Sequence, residues 1–188
     1  MKRGGAKRRG VYGHPMSKAF TKEDDVGDVL VPRPVSPLPP GTRNHLTSSG
    51  AKRLRGELAR LVEAERPGLL ALVGEPGLRG ADARERLQHV DQRIAYLQQS
   101  LQSAEVAAVP PAPHDVVRFG ATVTVRDPRG AETTYRIVGV DETDPERNEV
   151  SWLSPIARAL LNARLGQKVP FRFPAGAAQL EIVRIGYE

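Results

Sequence analysis

The feature that most limits what this chain can fold into is a run of apolar residues at heptad spacing. Ala83, Leu87, Val90, Ile94, Leu97, Leu101 and Ala104 follow one another at alternating steps of four and three, which is the a/d seam of a coiled coil. Such a seam needs a partner, and Leu54, Leu58 and Leu61 carry the same spacing upstream. Between the two runs lies Gly74-Glu75-Pro76-Gly77-Leu78-Arg79-Gly80, too rich in glycine and proline for helix. The expectation is an antiparallel hairpin. Leu54 with Leu101, Leu58 with Leu97, and Leu61 with Ile94 share one sum of residue numbers, 155, which puts the apex between Gly77 and Leu78. Continued toward the tip, the same register sets Glu65 opposite Val90 and Gly68 opposite Leu87. Pro67 lacks an N–H and disfavours helix at Arg66, so a kink or register shift is expected there, with Leu69, Leu72 and Val73 resuming the seam. An arm of about 20 to 25 residues spans roughly 30 to 37 Å, longer than a small core needs, which favours a projecting finger over a core helix pair.

Before the hairpin, residues 1–15 hold Lys2, Arg3, Lys7, Arg8 and Arg9 and no acid, the pattern of a disordered basic tail. The chain has 28 Lys and Arg against 22 Asp and Glu; setting aside these five leaves 23 against 22, so the body is nearly neutral. Nucleic-acid contact is therefore expected of the tail alone, with a solvated leader as the equal alternative. Pro32, Pro34, Pro37, Pro39 and Pro40 then mark a linker, so residues 1–45 read as tail and linker. Thr47, Ser48 and Ser49 offer hydroxyl caps for the first arm. The hairpin occupies residues 46–108, its second arm ending near Ala107, and Val109-Pro110-Pro111-Ala112-Pro113 stops it.

Residues 114–188 change period from 3.6 to 2. Ala121, Val123 and Val125 alternate with Thr122 and Thr124, and Asp127-Pro128-Arg129-Gly130 turns the chain into a β-branched run from Thr133 to Val140. Ser154-Pro155 opens a helix as N-cap and N1 residues, with Gly166 expected to close it. Two further alternating runs flank Pro174-Ala175-Gly176. The fold class is α+β: an N-terminal antiparallel coiled-coil hairpin followed by a small α+β domain.

There is no cysteine, so thiolate chemistry and disulfides are excluded. His14, His45, His89 and His114 lack the i, i+4 spacing of a histidine metal site. No nucleophile elbow or phosphate-binding glycine loop is present, and no apolar run is long enough to span a membrane. The chain does not read as an enzyme.

Ser154-Pro155-Ile156-Ala157-Arg158-Ala159-Leu160-Leu161, followed by Gly166 and Pro174-Ala175-Gly176, resembles the C-terminal domain of the bacterial transcript-cleavage factors GreA and GreB. Tyr135-Arg136-Ile137-Val138-Gly139 resembles the strand before it. Leu46-Thr47, Arg53-Leu54, Glu57-Leu58 and Glu65-Arg66-Pro67 resemble the family's first arm, and Arg86-Leu87, Asp91, Arg93 and Tyr96-Leu97 its second. The resemblance implies that the C-terminal domain is FKBP-like and docks on the rim of the RNA polymerase secondary channel while the coiled coil reaches down it. It implies a cytoplasmic monomer with RNA polymerase as partner, meeting nascent RNA or DNA only indirectly. In the family, an aspartate and a glutamate at the tip help hold a second Mg2+ of the polymerase active site, which hydrolyses backtracked RNA; the factor has no cofactor of its own.

Ser154, Pro155 and Ile156 are the docking candidates implied, although capping, preorganisation and core packing also account for them. At the tip, Pro76 and Arg79 stand where the two acids belong. Between Pro67 and Arg86 the chain is shorter than the family by about eight residues, roughly 6 Å of reach per arm. Glu75, Asp82 and Glu85 remain as candidate tip carboxylates, with Asp82 and Glu85 better explained as first-turn acids facing the helix dipole. The function expected is a transcription elongation factor acting on backtracked or arrested complexes. The alternative is a non-cleaving polymerase-binding regulator resembling Rnk, whose finger is also reduced.

Overall fold

The computed structural model describes residues 38–173 and 176–188, all within a compact unit that extends over Pro32–Glu188. The basic tail, the linker up to residue 37, and Pro174-Ala175 of the expected turn lie outside the described residues.

The first described strand, β1 (Asn44–Leu46), begins inside the segment expected to be irregular up to residue 45. Its pairing explains the difference. The buried Asn44 amide donates to the Ser100 carbonyl at 2.9 Å and to the Ser100 hydroxyl at 3.1 Å, and Leu46 is fully buried. Helix α1 (Ser48–Arg60) follows, its N-cap Thr47 accepting the Gly50 N–H at 2.9 Å through its hydroxyl. A π-helical turn at Leu61–Glu65 leads into α2 (Arg66–Val73), and after the turn at residues 74–77 comes α3 (Leu78–Ser103). The second arm was expected to continue near Ala107; instead Ala104–Val106 form β2, parallel to β1.

Helix α3 runs back along α1 and α2. Arg93 donates to both carboxylate oxygens of Glu57, at 2.8 and 3.0 Å, and Arg66 donates to Asp91 at 2.7 Å. Leu54, Leu61, Leu69, Val90, Ile94 and Leu97 are buried between them, with Leu58, Leu87 and Leu101 packed against this cluster. The register changes at the π-helical turn, where the Arg66 N–H bonds the Leu61 carbonyl, five residues back instead of four. Pro67 has no N–H to continue an α-helical ladder, and the wider turn takes up one extra residue. The seam therefore passes to Leu69, 5% exposed, in place of Gly68, and then to the half-buried Val73. Leu72 does not resume it, being 40% exposed.

The glycine-proline turn is shorter than expected, because Leu78, Arg79 and Gly80 are already helix. Gly77, at φ 81°, caps α3, and Gly80 packs so closely that a Cβ would lie 2.1 Å from the Glu75 carbonyl oxygen.

The remaining strands form a sheet in the order β5-β4-β3-β7-β6. Strand β3 (Thr122–Arg126) pairs antiparallel with β4 (Glu132–Val138) and with β7 (Gly176–Gly186). Strand β5 (Glu149–Ser151) pairs in parallel with β4, and β6 (Lys168–Phe173) antiparallel with β7. The Asp127 carboxylate accepts the N–H groups of Arg129 and Ala131 in the β3-β4 turn, at 2.8 and 2.9 Å, which holds its pKa below the ordinary value. Helix α4 (Pro155–Leu160) packs Ile156, Ala157 and Leu160 against Val123, Ile137 and Ile182 in the core of the sheet. It ends well before Gly166, because Asn162 adopts a left-handed φ of 66° and donates its N–H to Val117 at 2.8 Å.

Candidate functional site

Three places carry the functional candidates: the turn between α2 and α3, the start of α4, and the junction of helices and sheet. At the turn, Glu75 pairs with Arg79 across 3.9 Å, with the Arg79 side chain 85% exposed. Asp82 lines an open cleft of about 230 Å³ with Leu69, Leu72, Arg79, Ala83 and Arg86, and Glu85 is exposed. The first turn of α3 contains no acid, so the helix-dipole account of Asp82 and Glu85 does not apply; they sit further along the helix. Arg84 donates to the Val73 carbonyl at 3.1 Å and so satisfies an oxygen at the end of α2. The guanidinium of Arg79 can only donate, and the acids nearest the turn stand among Arg79 and Arg86. Among the described residues no three His, Asp or Glu side chains come together as a metal site requires. The donor set does not fit a metal centre belonging to this chain.

At the start of α4, the Ser154 hydroxyl accepts the Ala157 N–H at 3.2 Å. Pro155 occupies the first helical turn and is exposed, whereas Ile156 is 9% exposed and belongs to the core of the sheet. Of the three docking candidates, Pro155 presents its surface to solvent.

The junction is built around the connection from β4 to β5. Between β4 and β5 a 3-10 turn, Val140–Glu142, carries two adjacent acids. Glu142 is only 2% exposed; its carboxylate accepts the N–H of Thr47 at 2.9 Å, the N–H of Gly139 at 2.8 Å, and the Thr47 hydroxyl. Asp141 accepts the hydroxyls of Tyr96 and Ser100 from α3, the latter at 2.5 Å. Burial, reinforced by the Asp141 carboxylate, pushes the Tyr96 hydroxyl well above the ordinary tyrosine pKa. Arg53 of α1 donates to the Glu142 carbonyl at 3.1 Å and to Glu149 at 3.5 Å, and Arg136 links Glu149, at 3.4 Å, to Ser49, at 2.9 Å. The fit at Gly50 is tight enough that a Cβ would lie 1.6 Å from Glu142 Oε1. A glycine inside the first turn of an otherwise ordinary helix marks a close approach to α1, although it does not say of which residue.

A family model described as the C-terminal domain of transcription elongation factor GreA/GreB matches residues 112–187. Over 157 residues the chain is 36% identical to the transcription elongation factor GreB of Neisseria meningitidis serogroup B, covering 78% of this chain and 95% of that protein. It is 38% identical over 150 residues to GreB of Pseudomonas aeruginosa, covering 76% and 89% respectively. It is 37% identical over 151 residues to GreA of Anaeromyxobacter sp., covering 76% and 91%. Among solved structures, a GreA/GreB factor from Nitrosomonas europaea aligns with 77% of this chain and 99% of its own, at 24% identity and a TM-score of 0.38.

Proposed function

This chain belongs to the GreA/GreB family of transcription elongation factors, and on that basis we propose that it binds RNA polymerase at the secondary channel and acts there on backtracked or arrested complexes. The observation that carries this reading is the extent of the match, which takes in 95% of the Neisseria GreB, helices and sheet together. The reading as a non-cleaving Rnk-like regulator is not favoured, since the relatives matched at this length are GreB and GreA.

In this proposal residues 46–108 are an antiparallel coiled-coil finger and residues 114–188 an FKBP-like docking domain, preceded by a basic tail and linker over residues 1–45. The 26 residues of α3 give the finger a length of about 39 Å at 1.5 Å per residue. The chain is not an enzyme and has no cofactor of its own; hydrolysis of RNA is the polymerase's own chemistry. It works in the cytoplasm as a monomer, and its tail supplies non-specific contacts to nucleic acid. Docking centres on Pro155, with Ser154 and Ile156 holding it in place.

The test is the lifetime of arrested elongation complexes formed with purified polymerase. Added protein is expected to shorten that lifetime, and an unchanged lifetime overturns the proposal. RNA length is read in the same reaction, with Glu75→Ala, Asp82→Ala and Glu85→Ala; loss of 3′ shortening in any of them assigns that carboxylate to the polymerase active centre. Docking is tested by Pro155→Glu, which suits an exposed first-turn position because an acid there complements the helix dipole. Polymerase affinity is expected to fall while the melting temperature holds; full affinity excludes Pro155 as the contact.

A further inference from the structure

We propose that Glu142 is a positioning residue, whose buried carboxylate, together with Asp141, fixes the direction in which the two long helices leave the sheet. The inference deepens the reading of those helices as a channel-entering finger. The two adjacent acids hold the two arms separately. Glu142 takes the N–H and hydroxyl of Thr47 at the start of α1, and Asp141 takes Tyr96 and Ser100 near the end of α3. Arg53, bonded to the Glu142 carbonyl and to Glu149, makes a third connection from the side of α1.

Apolar contacts tolerate small rotations, whereas hydrogen bonds weaken steeply with misalignment. A carboxylate 2% exposed is expensive to bury, and this one is held by N–H groups from both the start of α1 and the end of β4. The carboxylate packs against bare backbone at Gly50 and Gly139, where an added Cβ would lie 1.6 and 2.6 Å from its oxygens. Direction matters because the finger is long: over about 39 Å, a tilt of about 10° displaces the tip by about 7 Å.

The absence of cysteine allows clean spin labelling of the full chain. Labels at Ala81→Cys on α3 and Lys168→Cys on β6, both exposed, report the distance between finger and sheet in the free protein. A single narrow distance distribution is expected for the parent chain and loss of that narrow peak for Glu142→Ala, with circular dichroism unchanged. Glu142→Gln, which keeps one acceptor oxygen, is expected to fall between them. If Glu142→Ala fails to fold, Thr47→Val removes the hydroxyl donor to Glu142, together with the cap on the Gly50 N–H, while keeping the Thr47 N–H, and is expected to broaden the peak; a width equal to the parent's in the folded variant overturns the proposal.

With polymerase, Glu142→Ala is expected to retain binding but to lose effect on arrested complexes by on the order of tenfold to 100-fold, the cost of misplacing a working group by ångströms. An undiminished effect also overturns the positioning role. Failure of the parent chain to bind polymerase would instead overturn the channel reading and leave the distance measurement standing.

Discussion

At the scale of single residues, the junction makes Gly50 and Tyr96 more consequential than their types suggest. Gly50→Ala improves intrinsic helix propensity by about 1 kcal/mol, yet its Cβ would fall 1.6 Å from Glu142 Oε1. Displacing that carboxylate from two N–H groups and a hydroxyl costs more than the propensity gain. Urea unfolding of Gly50→Ala is expected to show a net loss of about 2 kcal/mol, and a stabilised variant would mean that the carboxylate is free to move.

Tyr96 predicts a pH dependence. Its folded pKa lies above the ordinary tyrosine value of about 10, chiefly through burial, so the folded state keeps a proton that the unfolded state releases. The stability it contributes is intact below about pH 10 and is lost as pH rises through the folded pKa. Melting temperature is expected to decline above pH 10, and less so in Tyr96→Phe; the slope that persists in the variant includes Tyr187, also raised by burial.

At the scale of elements, the π-helical turn gives a prediction of register. Deleting Ala64 would return Leu61–Glu65 to α-helical pitch and keep Arg66 and Leu69 in the seam, whereas inserting one alanine after Ala64 would place the residues now numbered Glu65 and Gly68 there. Replacing a buried leucine by glycine in this way is expected to make the insertion cost at least about 2 kcal/mol and the deletion much less, measured by thermal unfolding; a deletion variant as unstable as the insertion variant would show that the turn does not set the register. The heptad positions from Leu54 to Leu61 and from Val90 to Leu97 were legible because apolar burial repeats with the helix. The break at Pro67 was legible too, through its missing N–H, although which residues resumed the seam was not, since that depends on the one residue absorbed by the wider turn. Glu142 was not legible at all. Its principal donor, Thr47, is 95 residues away in sequence, and a single buried acid leaves no periodic trace. The short α4 was missed because Gly166 looks like a terminator, while Asn162 took that role through a contact with Val117.

At the scale of the whole molecule, helices and sheet have separate apolar cores joined by polar groups. Residues 114–188 expressed alone would expose Glu142 without Thr47 and Asp141 without Tyr96 and Ser100. That fragment is expected to melt below the sheet of the full chain, consistent with losing the partners of a buried charge; equal melting would mean that the junction adds nothing to stability. The position of the π-helical turn, between this junction and the tip, bears on how such chains change over generations. A codon gained or lost beyond Pro67 re-aims the tip and leaves the junction's bonding intact, whereas one gained or lost before Leu61 would pull Thr47 and Arg53 out of phase with α3. Length variation is thus channelled toward the far end of the helices, where a change need not disturb their anchorage.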